Sequence, residues 1–151
     1  MFLLLALILI GCDACPDGVD AFADGTCPTG DCAVAWEDLG VDENAAHVDA
    51  NAAGGGDGSA AKPYSTVQAA LDARATVVAI DPGTYRENLV LNDDVRLVGR
   101  CIDSVIIDGS GGDAEASTIS AEGGGAVGLR NLTIAGAPHD GVLLVDSGGE
   151  L

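Results

Sequence analysis

Short apolar runs separated by polar turn residues dominate the chain from about residue 75 onward. Each run holds three or four residues, mostly β-branched or aliphatic, and is followed closely by Gly, Asp, Asn or Pro. This pattern is typical of short strands joined by tight turns. It predicts seven strands, at 77–80, 89–91, 95–98, 105–107, 118–120, 132–134 and 142–145. The sequence therefore predicts an all-β fold.

One segment has helical spacing instead. Val67, Ala70 and Leu71 lie at i, i+3 and i+4, and would form one apolar face of a helix. Ser65 and Gln68 fit a capping box, in which the Ser oxygen accepts a hydrogen bond from the backbone N–H of Gln68. We expect a short helix over 65–74.

The strand pattern repeats weakly at about 37 residues. VRLVG at 95–99 is similar to LTIAG at 132–136, and VIIDGSGG at 105–112 is similar to LLVDSGG at 143–149. Regular short strands with such a repeat are typical of a solenoid, whose coils pair at about 4.8 Å and stack their inward aliphatic side chains. A β-sandwich is the alternative architecture.

The N-terminus carries an export pattern. Residues 1–10 are all apolar, too short a run to span a bilayer but suited to the hydrophobic region of a signal peptide. The sequence Leu9-Ile10-Gly11-Cys12 resembles the bacterial lipobox, in which the Cys is lipidated. The resemblance implies a lipoprotein signal peptide at 1–11, lipidation of Cys12, and an extracytoplasmic location in the cell envelope as an outer-membrane or surface lipoprotein. The alternative is a plain signal peptide with an incidental Cys.

Charge divides the chain and excludes one class of partner. Asp and Glu number 24 against 6 Lys and Arg, a net charge of −18, so the basic surface that nucleic-acid binding requires is missing. Residues 1–61 hold 11 acidic residues and no Lys or Arg, and 52–61 reads AAGGGDGSAA, which is typical of a flexible linker. We therefore expect an acidic, Cys-containing spacer at 12–56 and a folded domain at 57–151.

The five cysteines are Cys12, Cys15, Cys27, Cys32 and Cys101. With Cys12 lipidated, four remain, and an even number in an exported chain suggests disulfides with three possible connectivities. Cys27 and Cys32 are close enough in sequence to pair locally, which would leave Cys15 for Cys101.

Four segments read PYSTVQAAL, PGTYREN, LVG and VIIDG, at 63–71, 82–88, 97–99 and 105–109. Together they resemble the first coils of right-handed parallel β-helix proteins of the pectin-lyase-like superfamily. The resemblance covers about 57–151 and implies the N-terminal coils of a right-handed parallel β-helix, with the short helix capping its open end. It also implies structural roles for Tyr85 and Glu87. Because the last residues show no closing element, we expect the β-helix to be truncated at the C-terminus.

The resemblance does not carry over a catalytic residue. The segment 131–144 is similar to a coil of the pectin methylesterases that holds an active-site Gln, but here Asp140 or Gly141 lies near that place. The other catalytic residues of that family belong to later coils. Pectate lyases use Ca²⁺ and an arginine base, but the arginines at 96, 100 and 130 fit no motif of that family. The dyad His139-Asp140 has no evident nucleophile, and we expect it to form a turn.

One metal site can be suggested. Asp49, Asn51 and Asp57 lie in a Gly-rich segment whose oxygen ligands suit Ca²⁺, as do the aspartates at 17, 20 and 24. Neither group has the spacing of an EF-hand loop, and the alternative is a solvated acidic linker.

These observations predict an exported β-helix surface protein, held on the membrane by a lipid anchor, that binds polysaccharide or another envelope component without catalysis. The alternative is a fragment of a carbohydrate-active enzyme, of the pectin methylesterase or polysaccharide lyase type, that lacks its catalytic coils. A third hypothesis is a purely structural stalk.

Overall fold

The computed structural model describes residues 32–111 and 115–145. The predicted signal peptide at 1–11, the predicted lipidation site Cys12, and the disulfide candidates Cys15 and Cys27 lie outside these residues. The described part contains one α-helix, α1 (Val67–Asp72). Its strands are β1 (Ala46–Val48), β2 (Val77–Ile80), β3 (Gly83–Tyr85), β4 (Leu89–Leu91), β5 (Val95–Gly99), β6 (Val105–Asp108), β7 (Ile119–Glu122), β8 (Val127–Arg130), β9 (Thr133–Ala135) and β10 (Val142–Val145).

The strands form three short sheets, in the orders β1-β2-β5-β8, β3-β6-β9 and β4-β7-β10. Every strand pair in them is parallel. From β2 onward the chain visits the three sheets in the same order three times. The described part is therefore mostly β with parallel strands, which confirms the all-β class.

Parallel register stacks apolar side chains between the sheets. Val78 pairs with Leu97, which pairs with Leu129 in the first sheet. Leu89 pairs with Ile119 in the sheet of β4. Four of these five side chains are fully buried and belong to one core cluster, and Leu129 packs against it. Burial of these inward aliphatic side chains holds the three sheets together in the earlier turns of the chain. The strands of the last turn, β8, β9 and β10, are partly or largely exposed.

The helix is capped differently from the prediction. Its buried face is Val67, Ala70 and Leu71, as their spacing predicts. However, the N-cap is Thr66, whose Oγ1 accepts a hydrogen bond from the backbone N–H of Ala69 at 3.3 Å. The predicted capping box of Ser65 and Gln68 is wrong, because a side chain from farther along the sequence, Glu87, binds the amide of Gln68 instead.

Glu87 satisfies the amides at the start of α1. Its two carboxylate oxygens accept hydrogen bonds from the backbone N–H groups of Val67 and Gln68, both at 2.9 Å. An anion at a helix N-terminus is stabilised by the unpaired N–H groups and by the helix dipole. The carboxylate of Glu87 thus takes the amide that Ser65 was expected to bind, and Glu87 has a structural contact as expected.

The N-terminal segment 32–45, which we call the strap, packs on the outer face of the sheet β1-β2-β5-β8. Trp36, Leu39 and Val41 are buried there against Ala79 of β2 and Val98 of β5. Because the strap and β1 belong to the packed structure, the ordered body begins before the predicted boundary at residue 57. Within the expected spacer at 12–56, the structure packs or pairs residues of 34–48, because scattered apolar residues among the acidic ones supply the contacts.

The strap is also held covalently. Cys32 forms a disulfide with Cys101, with their Cα atoms 5.0 Å apart. This bond replaces the local pairing of Cys27 with Cys32 that the sequence suggested, and it leaves Cys101 unavailable to Cys15. The reason is that the strap runs across the sheet to the turn that follows β5, where Cys101 lies.

We predict that Gly99→Ala destabilises the protein by about 1–3 kcal/mol, the range typical of forced overpacking. A Cβ at residue 99 would overlap the backbone carbonyl of Asn131, which cannot move as a side chain does. Urea unfolding measures the change in the free energy of unfolding. Gly124→Ala is the control, because a Cβ there has no heavy atom within 4 Å. Equal stability of the two variants would contradict the close approach.

Candidate binding site

A cavity of about 570 Å³ lies beside the loops that follow β1 and β2. Asp49, Asp81 and Lys62 supply its charged groups, and the other lining residues are Ala, Gly and Pro from 52–63. This volume is within the range of about 300–1,000 Å³ that is usual for small-molecule sites. The small lining residues leave the space open.

The two aspartates meet because of the sheet register. Val48 of β1 pairs with Ile80 of β2. Asp49 directly follows Val48, and Asp81 directly follows Ile80. Since the strands are parallel, their carboxyl ends reach the same edge of the sheet. Asp49 and Asp81 are 1% and 7% exposed, so two largely buried carboxylates border the cavity.

Each carboxylate already has a fixed contact. The Oδ1 atom of Asp49 accepts a hydrogen bond from the backbone N–H of Asn51 at 2.8 Å. The Oδ1 atom of Asp81 accepts one from Nε of Arg100 at 2.7 Å. Because Arg100 is 1% exposed, this is a buried, charge-assisted ion pair. The orientation of both carboxylates is therefore set by the protein before a ligand binds.

The hydroxyl of Tyr85 bridges the loop after β1 and the loop after β2. Its hydroxyl donates to the backbone carbonyl of Asp81 at 2.7 Å and accepts from the backbone N–H of Ala50 at 3.1 Å. Burial raises the pKa of Tyr85, and the nearby charge of Asp81 adds to this effect. The phenol therefore stays protonated and able to donate. The expectation that Tyr85 has a structural role agrees with these contacts.

The three arginines considered as lyase bases all contact the strap. Besides its bond to Asp81, Arg100 donates to the carbonyl of Val34 at 3.2 Å and lies 4.1 Å from the centre of the Trp36 ring. Arg96 and Arg130 donate to the carbonyls at 40 and 39, at 2.7 and 3.3 Å. These side chains fasten the strap to the sheet.

The structure does not gather Asp49, Asn51 and Asp57 around the cavity. Asp49 lines it, but Asn51 and Asp57 do not. The Oδ1 atom of Asp57 accepts hydrogen bonds from the Oγ and backbone N–H of Ser59, at 2.6 and 3.0 Å, and these bonds hold the pKa of Asp57 below its usual value. Among the described residues, no three or more His, Cys, Asp or Glu side chains are placed to hold a metal ion. The aspartates at 17, 20 and 24 lie outside them.

Two pairs of adjacent polar residues have local roles. Nδ1 of His139 and Oδ2 of Asp140 are 2.8 Å apart, but both side chains are exposed, at 62% and 47%. The pair lies in the turn before β10, where the sequence places it. The adjacent pair Asp93 and Asp94 accepts hydrogen bonds from backbone amides at 125 and 126, so these carboxylates fix the loop before β8.

The sequence alone does not reveal the role of Asp81 and its partner Arg100. Asp81 reads as part of the turn Asp-Pro-Gly, and Arg100 follows a glycine at the end of a strand. One sequence feature could have indicated the site: an Asp directly follows each of two neighbouring strands. That neighbourhood is visible only once β1 is recognised.

No family model, curated protein or solved structure matches this chain. Within the part of the chain that the structure describes, no helix has the length and apolar character needed to cross a membrane.

We predict that Tyr85→Phe destabilises the protein by about 1–3 kcal/mol, because it removes a buried hydrogen bond to the carbonyl of Asp81 and leaves the part-buried N–H of Ala50 without its acceptor. Thermal or urea unfolding measures this difference. Tyr64→Phe is the matched control, since the hydroxyl of Tyr64 makes no hydrogen bond within the described residues. An equal loss of unfolding free energy in both variants would show that the hydrogen bonds of the Tyr85 hydroxyl do not stabilise the two loops.

Proposed function

We propose that this protein is an exported, lipid-anchored β-helix module that binds polysaccharide without cleaving it. In this interpretation the three parallel sheets are the faces of a right-handed β-helix of the pectin-lyase-like superfamily. The repeated order of strands through the three sheets supports this architecture. The cavity between the loops after β1 and β2 is the binding site.

The observation that carries the proposal is the pair of oriented, largely buried carboxylates in an open cavity. Carboxylates accept hydrogen bonds from hydroxyl and ammonium groups, which are the donors that sugars and amino sugars offer. A net charge of −18 repels a polyanionic chain. The favoured ligand is therefore a neutral or amine-bearing polysaccharide.

The absence of catalysis is part of the proposal. A glycosidase needs one carboxylic acid to protonate the leaving group and a second carboxylate as base or nucleophile. Here Asp81 is paired with Arg100, and Asp49 accepts an amide hydrogen bond. Both contacts orient the carboxylate oxygens as hydrogen-bond acceptors. A carbohydrate-active enzyme is the alternative, favoured only by the presence of two carboxylates at one cavity.

Export and anchoring rest on the N-terminal sequence and on one covalent feature of the fold. A disulfide such as Cys32–Cys101 is typical of proteins outside the reducing cytoplasm. Acyl chains on Cys12 would hold the module on a membrane surface.

We predict that Cys12→Ser moves the full-length protein from the membrane fraction to the soluble fraction and abolishes incorporation of a labelled fatty acid. The reason is that the thiol of Cys12 is the acceptor for the lipid. Cys15→Ser is the control and should stay in the membrane fraction with its label. Membrane retention of the labelled Cys12→Ser protein would rule out this anchor.

We predict that Gly54→Leu weakens oligosaccharide binding by about tenfold or more, equivalent to about 1.4 kcal/mol. Gly54 lines the cavity and has open space around its Cβ position, so the added side chain occupies ligand space without a clash. Calorimetry with a glucosamine oligosaccharide, a cellulose oligosaccharide and polygalacturonate measures the affinities.

Gly124→Leu is the matched control, since residue 124 also has open space but lies outside this cavity. We expect it to bind as the unmodified protein does, with the glucosamine oligosaccharide bound most tightly and polygalacturonate least. Equal binding by Gly54→Leu would place the site elsewhere, lack of binding by every probe would refute the binding function, and release of shorter sugars would favour the enzyme.

A further inference from the structure

We propose that the strap is a disulfide-held latch and that Arg100 transmits its position to the cavity. Reduction of Cys32–Cys101 releases the strap and weakens binding of the ligand. This inference rests on the proposed function for its ligand, but its structural part is independent of that function.

The covalent step is an ordinary thiol–disulfide exchange. A dithiol reductant attacks one sulfur of Cys32–Cys101, forms a mixed disulfide, and then closes on itself. The products are two protein thiols and a cyclic disulfide of the reductant, so two electrons and two protons pass to the protein. Cys32 is only partly buried, whereas Cys101 is 6% exposed, which makes Cys32 the accessible sulfur.

The disulfide is well placed to control the strap. It joins residues 69 positions apart, so it closes a long loop and favours the docked state. The docked state also carries a buried indole nitrogen, Nε1 of Trp36, without a hydrogen-bond partner in the described part of the chain. An unpaired buried donor opposes docking. The disulfide therefore keeps the strap docked although the unpaired Nε1 of Trp36 favours undocking. Once the disulfide is reduced, this unfavourable burial promotes release of the strap.

Arg100 is the link between the strap and the cavity. It precedes Cys101, lies under the Trp36 ring at 4.1 Å, and binds the carbonyl of Val34. The same guanidinium holds Asp81 at the cavity wall. When the strap leaves, Arg100 becomes exposed to water, and an exposed ion pair holds its partners much less firmly.

A second contact of Trp36 lies near Asp49, the other aspartate of the cavity. The Trp36 ring meets the ring of His47 edge-on, with centroids 5.8 Å apart. His47 lies in β1, two residues before Asp49. Trp36 also belongs to one buried cluster with Ala79 of β2, so it packs on both strands that end at the cavity, and its departure removes support from both carboxylates. Less preorganised acceptors bind a ligand more weakly.

The experiment uses the full chain with Cys32→Ser and Cys101→Ser together, and Cys15→Ser with Cys27→Ser as the matched control. Trp36 is the only tryptophan, so its fluorescence reports the strap directly. We expect a red shift and stronger acrylamide quenching in the Cys32/Cys101 variant and in the dithiothreitol-treated unmodified protein. We expect affinity for the glucosamine oligosaccharide to fall about fivefold or more, the lower end of coupling between sites. The control pair should change neither quantity.

A ligand-free readout separates this proposal from the proposed function. Ala50 follows Asp49, which lines the cavity, and its backbone N–H is bonded to the hydroxyl of Tyr85. Hydrogen exchange at Ala50 therefore reports the loop that borders the cavity without sugar. We expect faster exchange at 49–52 on reduction. Unchanged Trp36 fluorescence would show that the disulfide does not hold the strap. Exposed Trp36 with unchanged exchange would show that the strap does not act on the cavity, whether or not any sugar binds.

Trp36→Leu guards against a folding defect in the cysteine variants. It keeps the disulfide and an apolar side chain at the position but removes the ring over Arg100. We expect faster exchange at 49–52 and weaker sugar binding in the oxidised protein. Circular dichroism should show an unchanged strand content, and exchange equal to that of the unmodified protein would overturn the role of Trp36 and Arg100.

Discussion

In-register stacking of aliphatic side chains between three parallel sheets is the constraint on which the other features depend. With few aromatic residues, the core relies on Val, Leu and Ile at successive rungs, such as Val78 under Leu97. Because each rung fixes where its strand ends, the register also decides which polar residues meet. The pairing of Val48 with Ile80 brings Asp49 and Asp81 to one edge of the sheet.

Many acidic residues of this chain act as hydrogen-bond acceptors at turns. Asp57 and Asp108 accept from amides two residues ahead, and Asp93 accepts from the glycine loop before β8. Glu87 does the same for a helix end that lies far away in sequence. A fold with many short strands has many turn amides to satisfy, and carboxylates satisfy them without adding bulk. This use accounts for part of the strong negative charge.

The sequence allows prediction of most strands, because apolar runs bounded by turn residues identify β2, β4 and β10 with the same bounds. It fails for β1, β3 and β8, whose residues include His47, Gly83 and Gly128 and which lie among turn or acidic residues. The cavity is also missed, since Asp49 and Asp81 become neighbours only through the pairing of β1 with β2. The strap is missed for a related reason: its apolar residues have no partner until the sheet exists.

The main role of the ion pair of Arg100 and Asp81 is to orient the carboxylate of Asp81. Burying two charges carries a desolvation penalty that often equals or exceeds their attraction, so such a pair is weak evidence for stability. Its contacts point to another role, because one guanidinium joins the strap to the cavity wall. An apolar pair in the same place would pack as well but would orient no carboxylate. Retaining the charges therefore ties the geometry of the cavity to the docking of the strap.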